Sequence, residues 1–122
     1  MNTSISLDFT PNDNLNQCQY IFENYYILQN ITEKSALYNL MNVEIGSWVF
    51  RFDYITQKYY LTIKSNDKEY INHHVSYYCK RTDEVIIQTS KCTSEVYPSL
   101  EEYLKEMQDI YNFDLTKQII IM

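Results

Sequence analysis

Glycine is almost missing from this chain: Gly46 is the only one in 122 residues, and Pro11 and Pro98 are the only prolines. A sequence so poor in both is neither loop-dominated nor disordered, and a single glycine cannot build a glycine-rich nucleotide loop. Cysteine is scarce and odd in number, with Cys18, Cys79 and Cys92 irregularly spaced. That fits a reducing compartment better than a disulfide framework. Positive charge is outnumbered, 10 basic residues against 16 acidic for a net charge of −6, which disfavours general affinity for nucleic acid or anionic membrane and leaves room only for a local basic pocket. No apolar run approaches the length of a membrane span, the longest being Ile119-Ile120-Ile121-Met122. Met1 to Asn14 show no positively charged start followed by an apolar stretch, so no secretory signal is visible. Asn30-Ile31-Thr32 matches a glycosylation acceptor, which without a secretory route carries almost no weight. The expected location is cytoplasmic.

What is plentiful is aromatic: 13 tyrosines, five phenylalanines and one tryptophan, enough to supply much of one core. The length suits a single domain that folds without staples. Residues 1–24, rich in Asn, Ser, Thr and Asp, read as an N-terminal extension, and residues 25–122 as the compact unit. Tyr25 to Leu28 suggest a short strand leading in. Thr32 is a good N-cap for a first helix, with Glu33 in its first turn and Ala36, Leu37, Leu40 and Met41 forming one apolar stripe. Three strand-like segments follow, Trp48 to Asp53, Tyr59 to Lys64 and Glu69 to Tyr78, joined by links short and polar enough for antiparallel hairpins. Val85-Ile86-Ile87 predicts a further short strand. Ser99 and Glu102 make a capping box for a second helix whose apolar face is Leu100, Tyr103, Leu104, Met107 and Ile110. Leu115 to Met122 is expected to pack back on the fold. The class this order predicts is α+β, a central antiparallel sheet flanked by two helices, with no internal repeat.

The anomaly is Arg51. Gly46-Ser47-Trp48-Val49-Phe50-Arg51 reads as a buried strand ending on a guanidinium, and a charge that cannot be removed needs an anion to meet it. Asp53 shares a strand face with Arg51, so an internal salt bridge and a ligand site are both open from this stretch alone.

Taken together, these segments resemble the SH2 (Src homology 2) family of phosphotyrosine-binding domains over roughly Tyr25 to the C-terminus. The aromatic pair and Ile-Thr before the first helix (Tyr25-Tyr26 and Ile31-Thr32), Gly46-Ser47-Trp48-Val49-Phe50-Arg51, Tyr59-Tyr60-Leu61-Thr62-Ile63, a histidine at 73 or 74, and Tyr97-Pro98-Ser99-Leu100 stand in the order and spacing of that family. The resemblance implies a non-enzymatic module that binds tyrosine-phosphorylated proteins or peptides of signalling, a monomer without cofactor or metal, with Arg51 forking onto the phosphate. Such an ion carries about −1.5 to −2 charges and suits a bidentate guanidinium. The resemblance favours His73 over His74 as a supporting phosphate contact, with two locally hydrogen-bonded strand histidines as the other reading, and Lys34, Thr56, Lys58 and the loop N–H groups are the candidate substitutes for the family's usual donors.

The chain departs from the family's pattern where it matters. Phe52-Asp53 stands where Glu-Ser is usual, so a carboxylate occupies the place of a hydroxyl donor, and Glu33 stands where an arginine is frequent. The alternative reading is therefore an SH2-like interaction scaffold that does not bind phosphate, with Arg51 paired to Asp53. A tyrosine phosphatase loop, which needs arginine six positions after its cysteine, is disfavoured, since Asn24, Val85 and Pro98 hold those positions. The adjacent histidines point to opposite strand faces and cannot chelate one metal together. The Asn, Ile, Tyr and Lys bias fits an AT-rich genome and is compatible with a pathogen protein acting in host cytoplasm.

Overall fold

The computed structural model describes residues 18–21 and 26–121, the side chains of 18–21 excepted. Most of the expected extension, and the start of the strand expected at Tyr25, lie outside the described residues. Within them the chain is α+β, with two helices, a six-stranded mixed sheet and a smaller three-stranded one.

The central strand is β3 (Trp48–Asp53), preceded by β1 (Cys18–Ile21), β2 (Leu28–Asn30) and helix α1 (Glu33–Leu40). It pairs antiparallel with β4 (Lys58–Lys64), Phe50 facing Leu61 and Arg51 facing Tyr60, and β4 pairs in turn with β5 (Tyr70–Val75). The opposite edge of β3 corrects the expectation of an antiparallel sheet. It is shared by β2, parallel to it at Phe50 to Phe52, and by β9 (Gln118–Ile121), parallel to it at Trp48. β9 also takes β1 as an antiparallel partner, so Cys18–Ile21 belong to the sheet. Two buried amides stitch β2 to β9 at this seam. Gln29 Nε2 donates to the Ile119 carbonyl (2.8 Å) and its Oε1 accepts from the Ile121 N–H (2.8 Å), while Gln118 Nε2 donates to the Ile27 carbonyl (3.0 Å).

The two-residue period of β3 sends alternate side chains to two separate cores. Trp48 and Phe50 pack with Leu61, Ile63 and the buried stripe Leu100, Tyr103, Leu104 and Met107 of helix α2 (Leu100–Ile110). Val49 packs with Ala36 and Leu40 of α1 and with Ile119. Met41 and Ile110, expected in those stripes, are exposed because each lies at or past the last turn of its helix. Both predicted caps form: Thr32 Oγ1 accepts from the Ser35 N–H (3.2 Å) and Ser99 Oγ from the Glu102 N–H (3.2 Å). α1 has no basic residue in its last turn. Lys64 reaches over from β4 instead, its buried ammonium 2.9 Å from the carbonyls of both Met41 and Val43.

The expected strand Glu69 to Tyr78 breaks at Ser76 into β5 and β6 (Tyr77–Cys79), which with β7 (Glu84–Gln88) and β8 (Ser94–Tyr97) forms the small sheet. The lone glycine is needed for its backbone. Gly46 has φ +91°, and a Cβ there would meet its nearest neighbour at an ordinary 3.6 Å, so conformation and not space selects it.

Candidate functional site

Alternation along β3 puts Arg51 and Asp53 on the α1 face, and register puts Tyr60, Thr62, Asn72 and His74 on that same face of β4 and β5. Arg51 keeps 1 % of its surface. Its Nε donates to Thr62 Oγ1 (2.8 Å), Nη1 to Asp53 Oδ2 (3.2 Å) and at 3.5 Å to the Ile31 carbonyl, and Nη2 to Asn72 Oδ1 (3.2 Å). The Tyr60 ring lies under the guanidinium carbon at 4.7 Å. The Thr62 hydroxyl donates in turn to Asn72 Oδ1 (2.6 Å), and Asn72 Nδ2 donates to Glu33 Oε2 (3.0 Å), which carries the network to the surface.

The anion that Arg51 demands is therefore present, and it belongs to the chain. Asp53, 4 % exposed, accepts at Oδ1 from the N–H groups of Ile55 (2.9 Å) and Thr56 (3.2 Å) in the β3–β4 turn and at Oδ2 from Arg51. Burial alone would raise its pKa; the Thr56 and Ile55 N–H groups, the guanidinium and the Glu33 N–H outweigh that and hold the carboxyl below its ordinary range. Burial lowers the Arg51 pKa against the opposing pull of Asp53 and Glu33, without costing a guanidinium its charge at any working pH. Chemically this is an anion cradle: a strand guanidinium and two backbone N–H groups of the following turn converge on one carboxylate.

The other residues singled out in the sequence are placed as follows. Lys34 lies exposed in the first turn of α1, and Lys58 is exposed and directly across from Asp53 in the β3–β4 pair. Thr56 enters through its backbone N–H. His73 is not part of the cluster, a correction to the expected register. It projects to the α2 face, where Nδ1 lies 2.6 Å from the Tyr103 hydroxyl and the ring packs between Tyr103 and Tyr111. One residue of register decides this, and it leaves Asn72 as the β5 side chain on Arg51 and His74 beside Tyr60, the two rings tilted with centroids 5.6 Å apart. Sequence reasoning missed Thr62, Asn72, Tyr60 and the Ile31 carbonyl. The available signal was Thr62, a polar residue between Leu61 and Ile63 in an apolar run, and it identifies the arginine's partner only once the hairpin register is known.

Among the described residues no group of His, Cys, Asp and Glu is arranged to hold a metal, and no helix is long and apolar enough to cross a membrane. Compared with family models, curated proteins and solved structures, the chain matches none.

Proposed function

We propose that this chain is a non-enzymatic, SH2-like module that recognises phosphotyrosine segments of partner proteins, with Arg51 as the group that meets the phosphate. The observation that carries this reading is the convergence of donors: the Arg51 guanidinium and the Ile55 and Thr56 N–H groups all address one small anionic volume. Such an arrangement suits an oxyanion, and a phosphate brings three acceptor oxygens to it. The α+β class, with one helix in each of two cores, supports the reading at the level of class. Lys34 and Lys58 supply exposed positive charge on the first turn of α1 and across from Asp53, and Thr56 an exposed hydroxyl in the intervening turn.

A second reading has its own observation. Arg51 and Asp53 are both almost fully buried and already neutralise one another, which favours an interaction scaffold that ignores phosphate. Paired titrations separate the two. A phosphotyrosine peptide is expected to bind more tightly than its unphosphorylated twin, with the difference abolished by Arg51→Leu; equal affinity of the two peptides for the wild type establishes the scaffold instead.

A further inference from the structure

We infer that Asp53 is a tethered, autoinhibitory anion: its carboxylate occupies the place of an incoming phosphate, and a ligand binds only by displacing it. The inference rests on the phosphotyrosine reading and adds to it the means by which the site is held closed.

Three features of the geometry support it. The carboxylate is held by the same groups that would hold an external oxyanion, the guanidinium at 3.2 Å and the turn N–H groups at 2.9 and 3.2 Å, so occupant and ligand compete for identical donors. Asp53 is also the last residue of β3, directly before the exposed turn residues Tyr54 to Gln57, where a rotation of one short side chain frees the donors without dismantling the sheet. The third feature is the exposed end of the network. Nη2 of Arg51 is held by Asn72, which is exposed and leans on exposed Glu33, so the guanidinium lies one side chain from solvent.

A carboxylate fixed two residues from its partner acts at high effective concentration, so it lowers the apparent affinity of any ligand by the fraction of molecules in which it is engaged. It also selects. A phosphate dianion, with more charge and more acceptor atoms, can displace it where a sulfate ester or a carboxylate side chain of single charge gains nothing by the exchange.

The test is calorimetric titration of O-phospho-L-tyrosine into the full chain as wild type, Asp53→Ser, Asp53→Asn and the double variant Asp53→Ser/Arg51→Leu. Both single variants are expected to bind about ten-fold or more tightly than wild type, and the double variant to lose binding. Equal dissociation constants for wild type and both single variants, with binding still lost in the double variant, overturn the autoinhibition and leave the phosphate reading standing. Absence of binding in every variant that circular dichroism shows to be folded overturns the phosphate reading, and the inference with it. Because an unpaired buried arginine can unfold the Ser variant, the thermal midpoint of Asp53→Asn gives a second readout. A rise on adding phosphotyrosine larger than that of wild type supports the competition, and an equal or smaller rise overturns it.

Discussion

His73 and Tyr103 meet at 2.6 Å through an imidazole nitrogen and a phenol oxygen, on the face of the sheet that Arg51 does not occupy. Tyr103 is fully buried, so the histidine is its means of satisfying a hydroxyl that has left water. Replacing His73 by Ala is expected to destabilise the fold by about 1–3 kcal/mol, the cost of an orphaned buried hydroxyl. The pair also predicts a pH dependence. Burial, with His74 adding to it, holds the His73 pKa below the ordinary histidine range, so the folded state prefers the neutral ring. Its stabilisation is complete above the unfolded value of about 6.5 and is lost as pH falls through the folded value. Urea unfolding at neutral and mildly acidic pH, compared with His73→Ala, checks both: the difference between the two proteins should shrink on the acid side.

Arg51 and Asp53 predict a larger effect from one half of a pair than from both. Arg51→Leu leaves a buried carboxylate without its cation and should cost about 3–5 kcal/mol, whereas Arg51→Leu combined with Asp53→Leu should recover much of that loss. Chemical denaturation of the four proteins of this cycle measures the coupling. Because the Asp53 pKa is held down in the folded state, its stabilisation is in place above the unfolded value of about 3.9 and disappears as pH falls through the folded value. Acid unfolding should therefore lose this component in Asp53→Asn.

Lys64 replaces the basic residue that α1 lacks at its C-terminus. Lys64→Met keeps the stem and removes the ammonium, leaving the Met41 and Val43 carbonyls without that donor. A destabilisation of about 1–3 kcal/mol is expected, with faster amide hydrogen exchange concentrated in α1. Exchange uniform along the chain would instead mean that the ammonium does not hold this helix end.

Elements whose signals are local could be read from the sequence. Thr32 and Ser99 mark the helix starts through short-range bonds, and Trp48 to Asp53 stands out as a buried strand from composition alone. The pairing of Arg51 with Asp53 was legible as one of two options, since the residues share a strand face. What escaped depends on contacts between distant segments. The parallel seam rests on Gln29 and Gln118, which nothing nearby in sequence connects. β8 carries the exposed residues Ser94, Glu95 and Val96 and buries only Tyr97, so no local pattern marks it as a strand. The choice between His73 and His74, and the finding that Asn72 reaches the arginine, turns on a register of one residue, which the two-residue period of a strand makes decisive but does not reveal.

The place of β9 bears on how the molecule is made. Because Gln118–Ile121 lie between β1 and β3, the early strands of a chain emerging from a ribosome must wait for the latest ones before their edges are covered. Until then the donors and acceptors along β1, and those of β3 at Trp48, are open to any passing strand, while β2 can already cover β3 at Phe50 to Phe52, so the exposed edge of the nascent state is chiefly that of β1.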